Sequence, residues 1–61
     1  MKTTVIQILI DEYQLNDRLA KYVADEYWAE TSDEVLENHT DEYLATEAYW
    51  SIAMNIVKGY K

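Results

Sequence analysis

The sequence predicts a single all-helical domain spanning residues 1–61, and three observations carry that prediction. The chain contains no proline and one glycine, so it lacks the residues that tight turns and hairpins usually require. Its apolar residues recur at the spacing of a helix. Two hydroxyl residues each precede a pair of carboxylates, a pattern typical of helix starts. We therefore expect a helical hairpin or a small bundle.

The N-terminal half predicts one long helix over residues 4–30. At about 100° per residue, its apolar side chains fall within one arc that keeps its phase through Asn16. Thr4 and Gln7 would supply a capping-box start. Asparagine is also a good N-cap, so a break into two helices near Asn16 is an alternative. A strand over residues 3–10 is a further alternative, ranked lower because a lone strand has no partner. The arc contains Val5, Ile6, Leu9, Ile10, Tyr13, Ala20, Val23, Ala24, Tyr27 and Trp28.

Two further helices are predicted after residue 30. Ser32 and Thr40 each stand immediately before two carboxylates, which would face the positive end of a helix. The first start predicts a short helix, Asp33–Asn38. The second predicts a long helix over residues 41–58, with Gly59 as its C-terminal stop.

The predicted C-terminal helix carries apolar residues on two nearly opposite sides. One side can pack on the N-terminal helix, but the other has no cover within a chain of 61 residues. Large exposed apolar patches are rare on soluble monomers, and small cores without disulfides often depend on assembly. We expect the second side to complete the bundle as a homodimer, with a heterologous partner as the alternative. The inner stripe contains Ala45, Ala48, Tyr49, Ile52 and Ile56; the outer stripe contains Tyr43, Trp50, Met54 and Val57.

The distribution of charge is the main functional signal. Twelve acidic and five basic residues give a net charge of -7, and no Lys or Arg lies between Tyr22 and Val57. Such a chain should repel nucleic acid and anionic membranes and attract a protein with a basic surface. Some carboxylates are explained by the two helix starts. The remaining set, which we call the acidic face, contains Asp11, Glu12, Asp25, Glu26, Glu30, Glu37 and Glu47.

The sequence lacks the residue patterns of a catalytic or metal site. Ser32 and Thr40 are explained as helix caps, and the single histidine, His39, lies at a helix junction where a solvent-facing or capping side chain is expected. There is no cysteine, no Glu-x-x-His pair and no glycine-rich phosphate loop. We therefore expect a protein that is not an enzyme and carries no cofactor or metal. We expect it in the cytoplasm, because it has no cysteine and no apolar run long enough to cross a membrane.

In composition alone, the chain resembles the small acidic inhibitors that phages and mobile elements make against restriction enzymes, CRISPR effectors or host polymerases. The resemblance implies mimicry, in which carboxylates on rigid helices imitate nucleic-acid phosphates and occupy the basic groove of a target. Two alternatives stay open. In the first, the protein is a helical adaptor or assembly module that recognises a partner through its outer apolar stripe. In the second, the acidity serves only solubility.

Overall fold

A computed structural model describes the backbone of residues 1–59 and the side chains of residues 1–56. No strand occurs within this part of the chain, so the all-helical prediction is confirmed and the alternative strand over residues 3–10 is wrong. The elements in chain order are α1 (Lys2–Asp11), α2 (Asp17–Glu30), α3 (Asp33–Asn38), α4 (Asp41–Ala48), a π-helical segment (Tyr49–Ala53) and α5 (Met54–Gly59).

The single helix predicted over residues 4–30 is wrong, and the alternative break near Asn16 is confirmed. Asn16 has an extended backbone, and its side-chain oxygen accepts a hydrogen bond from the Leu19 N–H at 2.7 Å. This is the N-cap of α2. Gln14, two residues earlier, has a positive φ of 57°, the left-handed conformation that turns a chain out of a helix. A local cap and a left-handed residue therefore end the continuous helix.

The start of α1 also differs from the prediction. Its first residue is Lys2, and the Val5 N–H already donates to the Met1 carbonyl at 3.0 Å, so Thr4 lies inside the helix and cannot cap it. The Gln7 side chain bonds forward instead, donating to the carboxylate of Asp11 at 3.1 Å and 3.2 Å from its two oxygens. The predicted capping box is wrong because helical hydrogen bonding begins before it.

Helices α1 and α2 form an antiparallel pair. Lys2, at the start of α1, forms an ion pair with Asp25 in the second half of α2. The intervening residues turn the chain back, and the Leu15 N–H donates to the Leu9 carbonyl at 3.1 Å across that turn. The two apolar faces of the broken segment consequently meet each other rather than forming one long stripe.

Helix α4 completes the core and runs parallel to α1. The Met1 amino group pairs with Asp41 at the start of α4, and Tyr13, just beyond α1, bonds to Thr46 near the end of α4 at 2.9 Å. Helix α2 contacts both α4 and the π-helical segment, so the three long units share one core. Every residue of the predicted apolar arc is buried or half-buried. The buried core contains Val5, Leu9, Ala20, Val23, Ala24, Tyr27, Leu44, Ala45, Ala48 and Ala53.

The two predicted helix starts after residue 30 are observed at their predicted positions. Helix α3 has the predicted bounds, and Ser32 occupies its N-cap with an extended backbone, although its hydroxyl makes no capping hydrogen bond. Thr40 caps α4 through its hydroxyl, which accepts a hydrogen bond from the Tyr43 N–H at 3.1 Å. Gly59 is the last helical residue, and its predicted role as a stop involves residues 60 and 61, which lie outside the described part.

The predicted α-helix over residues 41–58 is wrong in its middle, where Tyr49–Ala53 is π-helical. There the Met54 N–H donates to the Tyr49 carbonyl, five residues back. A π turn contains more residues than an α turn, so it rotates every later side chain relative to the α-helical pattern. Ala53, which belongs to neither predicted stripe, is buried as a result, and Met54 of the predicted outer stripe is half-buried.

Substitution of Gln14 tests the break between α1 and α2. A residue with a Cβ atom in the left-handed conformation loses roughly 1 kcal/mol or more, which glycine does not. We expect Gln14→Gly to raise the free energy of unfolding by about 0.5–1 kcal/mol in urea denaturation followed by circular dichroism. The control is Gln7→Gly inside α1, which should lower it by about 1 kcal/mol. Equal destabilisation by both would indicate that residues 4–30 form a continuous helix in solution.

Candidate interaction surface

All seven carboxylates of the acidic face are exposed, but the fold distributes them over different sides. Asp25 points towards α1, where it pairs with Lys2. Helical spacing alone favours Lys21 as its partner, four residues earlier, but no ion pair joins them among the described residues. Asp11 accepts the hydrogen bond from Gln7. Asp25 is thus the one member of the acidic face that is paired with a cation within the described residues.

Glu26 and Glu30 lie one turn apart on another side of α2. Their spacing from Leu19 places all three on the side of the helix that faces the C-terminal helix, because Leu19 lines a groove with Ile56 of α5. This groove of about 560 Å³ also contains Arg18 and Tyr22. Glu26 and Glu30 therefore form an acidic pair on the side of α2 that begins with Leu19.

Tyr27 brings α2 next to the acidic side of α4. Its side chain is 7% exposed, and burial raises the pKa of its hydroxyl above the ordinary value of 10.0. The Thr31 hydroxyl lowers this pKa, while the negative charge of Glu47 and the neighbouring Tyr43 raise it. Tyr27 shares the buried core with Leu44 and Ala48 where α2 contacts α4, and this packing brings the α4 turn that carries Glu47 to the α2–α4 edge.

Two exposed aromatic side chains lie beside Glu47 on the C-terminal helix. Tyr43 is 45% exposed and Trp50 is 60% exposed; Tyr43 stands one α-helical turn before Glu47, and Trp50 follows Glu47 by three residues, within the π-helical segment. Tyr43 stacks on His39 with ring centroids 4.3 Å apart, and Trp50 packs edge-on against Tyr49 at 5.7 Å. We call Tyr43, Glu47 and Trp50 the aromatic–acidic stripe. It contains two members of the predicted outer stripe; the side chain of Val57, a third, lies outside the described residues.

Neighbouring contacts hold this stripe in place. The His39 Nδ1–H donates to the Val35 carbonyl at 2.8 Å, which orients the imidazole under Tyr43. On the other side, Tyr49 stacks on Tyr13 with centroids 4.4 Å apart. The Thr46 hydroxyl donates to the Glu42 carbonyl, so it accepts the hydrogen bond from Tyr13. The connection between α1 and α2 thus supports the helix that presents Trp50.

Glu37 belongs to a different surface. It lines a second groove, of about 450 Å³, with Lys2 and His39, although the Lys2 ammonium pairs with Asp25. The last member of the acidic face, Glu12, follows the end of α1. These two carboxylates do not join the aromatic–acidic stripe through any contact described.

The described residues also contain no cluster of three or more His, Cys, Asp or Glu side chains that could bind a metal ion. His39, Asp41 and Glu42 are close in sequence, but His39 stacks on Tyr43 and Asp41 pairs with the Met1 amino group. Over the same part of the chain, no helix combines the length and apolar character that crossing a membrane would need.

Comparison with family models, with curated proteins and with solved structures found no match to this chain.

The ionisation of Tyr27 tests the position of Glu47. Because its folded pKa is raised, the protonated hydroxyl contributes stability below about pH 10, and this contribution is lost as pH rises through the folded pKa. We expect an NMR titration of ring-labelled tyrosines, assigned with Tyr27→Phe, to show Tyr27 titrating above pH 10.0. Glu47→Gln should lower this pKa, whereas Glu12→Gln should leave it unchanged. If the pKa of Tyr27 is unchanged in Glu47→Gln, the Glu47 carboxylate does not lie near the α2–α4 edge.

Proposed function

We propose that the protein is a non-catalytic inhibitor that occupies a cationic, nucleic-acid-binding surface of a target protein. The observation that carries this proposal is the outward exposure of the acidic face in a chain of net charge -7. Within the described residues, Asp25 is its one carboxylate paired with a cation. The remaining carboxylates therefore direct their field into solvent, where it attracts and orients a basic partner.

The helical scaffold supports this mode of binding. Glu26 and Glu30 are fixed one turn apart on α2, and Glu47 lies near the adjoining edge on α4. Because the helices already fix the backbone, binding would order only the Glu side chains and not the segments that carry them, which favours affinity. Bound to Lys and Arg side chains that normally contact phosphates, they would exclude nucleic acid by competition. The protein would act in the cytoplasm of the producing or infected cell, as the phage and mobile-element inhibitors of similar composition do.

A charge-matched pair of variants tests mimicry. The target is captured from extract of the native host, and its affinity for the chain is then measured with purified components. We expect the triple variant Glu26→Gln, Glu30→Gln and Glu47→Gln to bind roughly tenfold to a hundredfold more weakly, from about 0.5–1 kcal/mol for each exposed pair. The control, Thr3→Lys, Thr4→Lys and Gln14→Lys, changes net charge equally at exposed positions that make no described hydrogen bond to the acidic face, and it should bind almost normally.

The same complex should respond to salt and to nucleic acid. Binding should weaken steeply as ionic strength rises, and the target's own DNA or RNA should compete with the chain. Affinity that is independent of salt, or a ternary complex with nucleic acid, would contradict mimicry.

Self-association through the outer apolar side is a second candidate function, favoured by the exposure of Trp50 and Tyr43. In this candidate the chain is an assembly or adaptor module whose bundle is completed by a homodimer. Sedimentation velocity at micromolar concentration should then show a dimer that Trp50→Ala dissociates and that Tyr22→Ala leaves intact. A monomer for the unaltered chain would contradict this candidate and leave the stripe free for another protein.

A further inference from the structure

The aromatic–acidic stripe combines two kinds of group that recognise a cation in different ways. Glu47 offers a carboxylate, and Tyr43 and Trp50 offer exposed aromatic rings on the adjacent turns. No Lys or Arg lies between Tyr22 and Val57, and the ion pairs described involve Asp41 and Asp25, not Glu47. Within the described residues, Glu47 forms no ion pair, and the one basic side chain stacked on the stripe is the His39 imidazole against Tyr43.

We propose that the aromatic–acidic stripe binds arginine side chains of the basic partner in preference to lysine side chains. This inference rests on the proposed function, since it specifies the chemistry of the partner that the acidic face attracts. A planar guanidinium stacks on an aromatic ring while its N–H groups bond a carboxylate in the same region. An ammonium group is a compact, strongly hydrated point charge and gains less from the rings.

The surroundings of the stripe strengthen the preference for a cationic occupant. Helix α2 packs against α4, and Tyr27 of α2 shares the buried core with Leu44 and Ala48 on either side of Glu47 in the sequence of α4. A guanidinium at the stripe would therefore meet the exposed carboxylate of Glu47. A second copy of the chain fits less well, because a twofold interface centred on the stripe would bring one Glu47 towards the other.

A second exposed tyrosine provides the contrast within the same molecule. Tyr22 is 51% exposed, close to the exposure of Tyr43. It lines the groove between α2 and α5, which contains Arg18, one turn before it. A guanidinium approaching Tyr22 would meet a like charge, so aromatic exposure alone does not make this groove an arginine site.

Two synthetic peptides test the proposal by isothermal titration calorimetry on the full chain. They are identical except that every cationic position is arginine in one and lysine in the other. We expect the arginine peptide to bind about three- to tenfold more tightly at moderate salt, the effect of one or two exposed cation–π contacts. Trp50→Leu and Tyr43→Leu should each reduce the preference to about twofold or less, whereas the control Tyr22→Leu should retain it.

The possible outcomes separate this inference from the function on which it rests. Binding of both peptides with equal affinity, or a preference that survives Trp50→Leu, would overturn the arginine assignment and leave charge recognition intact. Failure of both peptides to bind at low salt would contradict charge recognition itself. Tighter peptide binding by Trp50→Leu, together with dissociation of a dimer, would show that a second copy occupies the stripe and would also overturn the assignment.

Discussion

The reversal of the chain between α1 and α2 is the constraint on which the rest of the structure depends. Asn16 caps α2, and the left-handed Gln14 directs the chain away from the axis of α1. Without this reversal, the apolar arc of residues 4–30 would form one long stripe, and only the helices after residue 30 could cover it. With it, α1 and α2 bury their faces against each other and against α4. This packing gives a buried core to a chain so short that it can bury only a modest fraction of its surface.

The π-helical segment fits the C-terminal helix to this core. It brings Ala53 into the buried interior, and the half-buried Tyr49 stacks on Tyr13 from the chain reversal. The preceding α-helical turns place Leu44, Ala45 and Ala48 in the same interior. Leu44 and the alanines fill the side of the helix that faces the core, so bulky Trp50 is left on the outside. The exposed ring is therefore a consequence of how the helix packs.

The sequence predicts the helical class, both helix starts after residue 30 and the residues of the N-terminal core, because each depends on local chemistry or on periodicity. It fails where two local preferences compete. The apolar arc favours a continuous helix through Asn16, while the asparagine itself favours a cap, and tertiary packing of α1 on α2 decides between them. The π-helical segment has no sequence pattern that periodicity could detect. The burial of Ala53 and the partial burial of Met54, which follow from this segment, therefore cannot be predicted from the sequence.

The candidate surface is predictable in composition but not in arrangement. Sequence alone identifies the seven carboxylates of the acidic face, yet it treats them as one face. The structure separates Asp25, which pairs with Lys2 across the α1–α2 interface, from Glu47, which lies near Tyr27 at the α2–α4 edge. These relations join residues twenty or more positions apart in sequence, so only the antiparallel packing of the helices reveals them.

The acidic residues differ in how much they can contribute to the stability of the fold. Mutual repulsion of like charges destabilises a compact chain, so carboxylates that serve stability are expected beside cations or at helix N-termini. Asp25 and Asp41 meet this expectation through their ion pairs, and Glu42 does so through its place in the first turn of α4. Glu47 satisfies neither condition: it lies in the last turns of α4, away from the positive helix end, between two exposed aromatic rings. The exposed carboxylate of Glu47 therefore gains neither an ion pair nor a favourable helix-end interaction within the described residues, so its contribution to folding is small.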